Sequence, residues 1–254
     1  VGKLDGSIYG FGLDWDTHRG LLRWMQINNS YGDPLVCASL SLQTKHFVAL
    51  REDGTVAIHG PLADWHRPSE LPASDTLALQ PYASEMFLNG IKKISTGFSH
   101  LAAVTRDGFL HVAGSDRYGQ LCSHRFQYSN PEKGRRLEGE QVKDVACGDH
   151  HTVILYKDGR VKTGGRNQCG QLGRQVPVGH GHDWLYYTGS DHVTRYGWYG
   201  NSDYIPDIDD AIAVYAGGDS TMIVRKSGIT VCGNNEFGQL GVVTPKPIVN
   251  AEDR

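Results

Sequence analysis

Three groups of residues in this chain have the types and spacings from which chemistry is built. His150 and His151 follow Cys147 closely, and His180, His182 and Asp183 cluster in one short stretch. Both are donor sets that zinc accepts. Asp5, Asp53, Asp107 and Asp158 supply recurring carboxylates, the side chains of general acid–base catalysis. Gly165-Arg166-Asn167-Gln168-Cys169-Gly170 is a glycine-bounded loop of the kind that can cradle phosphate.

Each has a structural reading that outweighs the chemical one. Tetrahedral zinc needs four converging ligands, and adjacent residues on a strand point to opposite faces, so Cys147, His150 and His151 fit only loosely. His180, His182 and Asp183 read as a polar loop. The four aspartates each precede a glycine, at Gly6, Gly54, Gly108 and Gly159, which is turn chemistry. The glycine-bounded loop lacks a Gly-Lys-Ser/Thr ending and recurs as Gly233-Asn234-Asn235-Glu236-Phe237-Gly238. Recurrence marks a structural turn. His46, His100 and His150 are read as one repeat position that serves the scaffold by bonding a neighbouring turn. With no Gly-x-Ser-x-Gly elbow, these residues name no catalytic group, no metal site and no cofactor.

The elements that position these residues are tandem copies of one unit. Gly97, His100, Asp107, Gly108, Gly114, Gly119, Gln120 and Leu121 recur fifty-one residues on as Gly148, His151, Asp158, Gly159, Gly165, Gly170, Gln171 and Leu172. A third copy begins at Gly217, turns at Gly228 and ends in Gly238-Gln239-Leu240-Gly241, one residue shorter around its turn. A fourth lies upstream around His46, Asp53, Gly54 and Gly60, and a partial fifth opens the chain at Asp5-Gly6. A fixed period of this size is the mark of a repeat architecture.

Within a unit, residues 152–155 form a short apolar run, Lys157-Asp158-Gly159-Arg160 a turn, and residues 161–163 a second run. Asp-Gly between two such runs predicts a hairpin with a type I′ turn. Three or four short strands per unit make a propeller blade. A helical repeat is disfavoured by the glycine density, a WD40 array by the missing Trp-Asp endings, and a Kelch array by a double glycine present only at Gly164-Gly165.

The run from Cys147-Gly148 through Asp158-Gly159 to Gly165 and Gly170-Gln171-Leu172-Gly173 resembles the repeat of the RCC1 (regulator of chromosome condensation) family. The copy from Gly217 to Gly241 is similar. The resemblance implies an all-β, RCC1-type β-propeller, a family fold that usually has seven blades. Seven such units would need about 357 residues, and this chain of 254 accommodates about five, over 1–40, 41–90, 91–141, 142–210 and 211–254. An incomplete chain is therefore expected, with a smaller or open ring as the alternative.

Composition narrows the function classes. The net charge is −3 and 39% of residues are hydrophobic, as in one globular domain. The basic cluster Lys133, Arg135, Arg136 reads as a solvated turn, so nothing speaks for a nucleic-acid face, and no apolar run is long enough for a membrane helix. Cys37, Cys122, Cys147, Cys169 and Cys232 form no CxxC pair, and an odd number without a framework points to a reducing, intracellular compartment.

Departures from the repeat are where a binding face is expected. Residues 61–90 carry Trp65 and His66 in a Pro/Ser/Leu-rich stretch, and residues 174–213 carry Trp184, Tyr186, Tyr187, Tyr196, Trp198 and Tyr199. Such aromatics suit an interface and equally the core of a degenerate blade. Trp65, His66, Trp184, Tyr187, Trp198 and Tyr199 are the candidate partner-binding residues; Gly54, Gly108, Gly159 and Gly228 are the structural turns. The resemblance implies a non-catalytic protein-interaction module, a subunit of a larger assembly. Its alternative is guanine-nucleotide exchange on a small Ras-like or Ran-like GTPase.

Overall fold

The computed structural model describes residues 9–13, 22–26, 39–42, 47–59, 84–86, 90–116, 118–122, 135–137, 139, 141–174, 186–188, 194–196 and 199–242. The regular elements among them are all strands. β1 (Tyr9–Leu13) and β2 (Leu22–Gln26) pair antiparallel. β3 (Ser39–Leu42), β4 (Phe47–Leu50), β5 (Val56–His59) and β6 (Ser84–Met86) form a four-stranded meander. β7 (Ile91–Thr96), β8 (His100–Thr105), β9 (Leu110–Gly114) and β10 (Arg135–Leu137) form the next.

In the sheet after that, β11 (Val142–Cys147), β12 (His151–Tyr156) and β13 (Val161–Arg166) are joined by a distant fourth strand. The hairpin of β14 (Tyr186–Thr188) and β15 (Thr194–Tyr196) intervenes before that strand, β16 (Tyr199–Tyr204), pairs with β13. Much of the 174–213 insertion is thus the route from one sheet's third strand to its fourth. β17 (Ala211–Gly217), β18 (Ser220–Arg225) and β19 (Gly228–Gly233) make the last described sheet.

The repeat in sequence is a repeat in register. His100 pairs with Gly114, His151 with Gly165 and Ser220 with Gly233, the same ladder position in three sheets. All six residues of β8 are buried, and five of the six in β12. A strand with sheets on both faces reads as a continuous apolar run, because both sides of the pleat leave water.

The turns differ from the type I′ expectation. Tyr156 N–H donates to Arg160 O and Gly159 N–H to Tyr156 O, at 3.0 and 3.1 Å, closing a three-residue loop over Lys157-Asp158-Gly159. Only Gly159 has positive φ, +91°, whereas type I′ needs it at two central residues. A type I turn ended by a left-handed glycine meets the same demand with one such residue. Asp158 Oδ1 caps it by accepting Arg160 N–H at 3.0 Å, and Asp53 Oδ1 accepts Thr55 N–H at 2.8 Å in the corresponding turn. Asp53 and Asp158 are turn formers.

Apolar side chains fill the spaces between sheets. Val48, Leu50 and Val56 pack on Ile91, Ile94, Leu101 and Ala103 of the following sheet. Ala102, Val104, Leu110 and Val112 pack on Val142, Val145 and Ile154. Ala146, Val153, Leu155 and Val161 pack on Ala211, Val214 and Ile223. The β7–β10 sheet and the sheet of β11, β12, β13 and β16 therefore each have a leading face, which meets the successor, and a trailing face, which meets the predecessor. Turn glycines tie the opposite end: Ile91, Val142 and Ala211 N–H donate to the carbonyls of Gly54, Gly108 and Gly159.

Candidate functional site

The recurring histidines join neighbouring sheets. His100 Nε2 lies 2.9 Å from Thr152 Oγ1, and His151 Nε2 lies 2.8 Å from Thr221 Oγ1. Each threonine hydroxyl has one proton and donates it to a main-chain carbonyl, Thr152 to Gln120 O at 2.7 Å and Thr221 to Gln171 O at 2.8 Å. The histidine must therefore be the donor at Nε2, which assigns the neutral tautomer. Burial lowers the His151 pKa to about 4, opposed by the nearby Asp219 charge and aided by His150. The imidazole is neutral around pH 7 and works as a bolt.

This corrects the sequence-level position of the histidine. The partner of His100 in the repeat is His151; His150 is its neighbour and faces elsewhere, toward Phe98 and Tyr118, with ring centroids at 5.5 and 4.9 Å. Counting from the aligned glycines separates the two, since His100 and His151 each stand three residues after Gly97 and Gly148. A side chain at either glycine would run into the following imidazole, with the next sheet's carbonyl, Gly148 O or Gly218 O, 2.5 or 2.6 Å away. His46 lies outside the described residues.

The Gly-Gln-Leu loop is a self-closed cap at the same end of each sheet as the histidine turn. Asp116, Asn167 and Asn235 accept the N–H of Leu121, Leu172 and Leu240 at 2.8, 2.9 and 2.9 Å. The glutamine Oε1 of Gln120, Gln171 and Gln239 accepts the N–H of Tyr118, Cys169 and Phe237 at 2.7, 2.9 and 2.9 Å. Gln171 Nε2 then reaches Asp219 Oδ1 of the next sheet at 2.7 Å. In the cap at 166–173, the side-chain oxygens turn loop N–H groups inward, where a phosphate cradle would present them to a ligand. Two of these caps display the pair before Gly-Gln: Gln168 and Cys169 are exposed, as are Glu236 and Phe237, whereas Tyr118 in the first is half-buried against His150.

Burial raises the Cys122 and Cys147 thiols to about 12 and Cys232 to about 11. These are small apolar fillers, not nucleophiles. Cys169 is exposed and also shifted upward, chiefly by desolvation. Among the described residues no group of three His, Cys, Asp or Glu side chains is arranged to hold a metal ion.

Of the candidate partner-binding residues, Tyr187 lies on β14 and Tyr199 on β16, where it pairs with Arg166. Trp65, His66, Trp184 and Trp198 lie outside the described residues, as do His180, His182 and Asp183. The glycines Gly54, Gly108 and Gly159 have φ of +86°, +91° and +91°. Gly228 begins β19 after a shorter, two-residue loop. The sequence reading missed the Phe98–Tyr118–His150 group, which forms where a histidine turn meets the cap of the preceding sheet. Its signal was available: aromatic residues flanking the repeat glycines.

Tandem antiparallel sheets bolted in this way define a repeat β-propeller. Residues 91–120 and 142–171 match the regulator of chromosome condensation (RCC1) repeat, and the chain belongs to the RCC1-like family. It is 30% identical over 176 residues to an RCC1 repeat-containing protein of Dictyostelium discoideum, covering 67% of this chain and 34% of that one. It is 38% identical over 108 residues to the secretion-regulating guanine nucleotide exchange factor of Bos taurus, covering 41% and 22%. Yeast RCC1 (Prp20), solved bound to Kap60, superimposes with a TM-score of 0.65 at 19% identity, covering 94% of this chain and 55% of that one. The chain thus spans between about a fifth and a third of these curated relatives' lengths.

Proposed function

We propose that the chain is a non-catalytic protein-binding module, part of a larger assembly. The observation that carries this reading is the use made of its recurring polar residues. His100, His151, Gln171 and the turn aspartates Asp53 and Asp158 spend their hydrogen bonds on the scaffold, while Gln168 and Cys169 in one cap and Glu236 and Phe237 in another differ and face solvent. A fixed frame with variable, exposed tips is the arrangement on which repeat proteins build partner surfaces. Trp65, His66, Trp184, Tyr187, Trp198 and Tyr199, all in the insertions, are assigned to the same partner surface. The compartment on this reading is intracellular and reducing.

The second reading is nucleotide exchange on a small GTPase. The similarity to the secretion-regulating exchange factor favours it. Exchange requires a surface that prefers the nucleotide-free GTPase, since equal affinity for both states shifts nothing.

Both are tested by retrieving the tagged protein from native extract and identifying what accompanies it, with Tyr187→Ala and Tyr199→Ala run beside the wild type. A stoichiometric complex lost in these variants supports the first reading. Acceleration of GDP release from purified small GTPases supports the second and overturns the first.

A further inference from the structure

The wiring between a cap and the turn of the next sheet is complete at one junction and open at another. In the later junction Gln171 Oε1 accepts Cys169 N–H at 2.9 Å, and Gln171 Nε2 donates to Asp219 Oδ1 at 2.7 Å. In the earlier one Gln120 Oε1 accepts Tyr118 N–H at 2.7 Å, which fixes the other end of that amide as the donor. Gln120 is fully buried, and its Nε2 has no acceptor among the described residues. A buried donor left unmet is costly, and such a group calls for an explanation.

The difference comes from one position of the repeat. His151 and Ser220 hold the same ladder place, opposite Gly165 and Gly233, so His150 and Asp219, which precede them, are equivalents. His150 thus stands where the later junction has its carboxylate. It is half-buried, as are Phe98 and Tyr118, whose ring centroids lie 5.5 and 4.9 Å from its own. The carboxylate within the cap itself, Asp116, holds Leu121 N–H at 2.8 Å. Three half-buried rings therefore meet at the junction that contains the unmet amide donor.

Resting on the protein-binding reading above, we propose that this junction receives an aspartate or glutamate side chain of a partner protein. The carboxylate takes the place that Asp219 holds one junction later and accepts the hydrogen bond from Gln120 Nε2. His150 swings outward to admit it, and the rings of Phe98 and Tyr118 cover the methylene carbon of the guest, which gains by leaving water. The guest is acidic because the chain itself meets the same glutamine with a carboxylate. A hydrogen bond to a charged acceptor is also about twice as strong as one between neutral groups.

Nuclear magnetic resonance of the isotope-labelled full-length protein tests this at the Gln120 side-chain amide. The probe is N-acetyl-aspartate N-methylamide, with the capped asparagine as its neutral match. The aspartate should shift the Gln120 amide saturably and bind about ten-fold more tightly than the asparagine. His150→Asp, which rebuilds the later junction, should abolish the response. Equal binding of the two probes, no saturable shift, or a response unchanged in His150→Asp overturns the proposal.

Gln120→Glu is the second variant, since it keeps the oxygen for Tyr118 N–H and removes the donor. The response at the Tyr118 backbone amide should vanish in it, and a persisting response overturns the proposal. The partner is addressed separately, with the complex retrieved from native extract. A complex that survives Gln120→Glu overturns this junction as the partner contact and leaves the binding-module reading standing. No complex with the wild type overturns that reading, and with it a partner as the source of the carboxylate.

Discussion

The imidazole of His151 occupies the space in which a side chain at Gly148 would have to stand, while its Nε2 reaches Thr221 of the next sheet. One glycine thus makes room for the residue that bolts two sheets together. The same pair is built from Gly97 and His100.

Gly148→Ala should therefore destabilise the protein by about 3 kcal/mol, at the upper end for overpacking, because the imidazole is held on its far side. Gly217→Ala is the control, with open space around it, and should change stability by less than about 1 kcal/mol. Urea unfolding of the two variants checks the contrast; equal losses would sink the plug argument.

The bolt has a pH dependence with a definite sign. His151 is lowered to about 4 in the folded protein from an ordinary 6.5, mainly by burial. Between these values the unfolded chain binds a proton that the folded one refuses, so stability falls as pH drops from about 6.5 to about 4 and is unaffected above that window. The contribution is about 3 kcal/mol. His151→Asn, which cannot titrate there, should flatten that part of the stability–pH curve.

Thr221→Val would leave the buried Nε2–H of His151 without its acceptor. A buried donor stripped of its partner costs about 1–3 kcal/mol. In a double-mutant cycle with His151→Asn the two losses should be less than additive, because both act on one bond.

Two facing positions exchange bulk between successive interfaces. Cys122 Sγ lies 2.7 Å from where a Gly164 side chain would begin, and Cys232 Sγ lies 3.1 Å from the same point at Gly173. In the repeat, Cys122 corresponds to Gly173 and Gly164 to Cys232. Gly164→Cys alone should destabilise by about 1–3 kcal/mol through overpacking. Adding Cys122→Gly should recover most of that loss, since it reproduces the next interface and relieves the left-handed φ of 54° at Cys122.

Thiol titration separates exposed from buried cysteines. At pH 8 an aromatic disulfide reagent should modify Cys169 promptly among the described cysteines. Cys122 and Cys147, raised to about 12 by burial, should react only on unfolding. Peptide mapping before and after urea reads the difference.

How much of this was legible in the chain alone can be traced residue by residue. The period, the turn at Asp158-Gly159 and the scaffold role of the Gly-Gln-Leu segment follow from local spacing, because turns and strand alternation are dictated within a few residues. The turn's type did not follow: Asp-Gly serves both a two-residue and a three-residue loop, and the ladder register between β12 and β13 chooses. The candidate site was legible only as aromatic-rich insertions. The group of Phe98, Tyr118 and His150 joins residues from two sheets: their places beside the repeat glycines were visible in the chain, but their meeting across the sheets was not.

By itself, then, the sequence determined that one strand-turn-strand unit is copied and where each copy bends, since those properties depend on backbone conformation over short stretches. Only the tertiary structure decided that His151 reaches Thr221 of the next sheet, that Gly148 is its socket, and that Tyr215 faces outward. Those are properties of side chains meeting across about 10 Å between stacked sheets, a distance along which neighbours in space are some fifty to seventy residues apart in the chain.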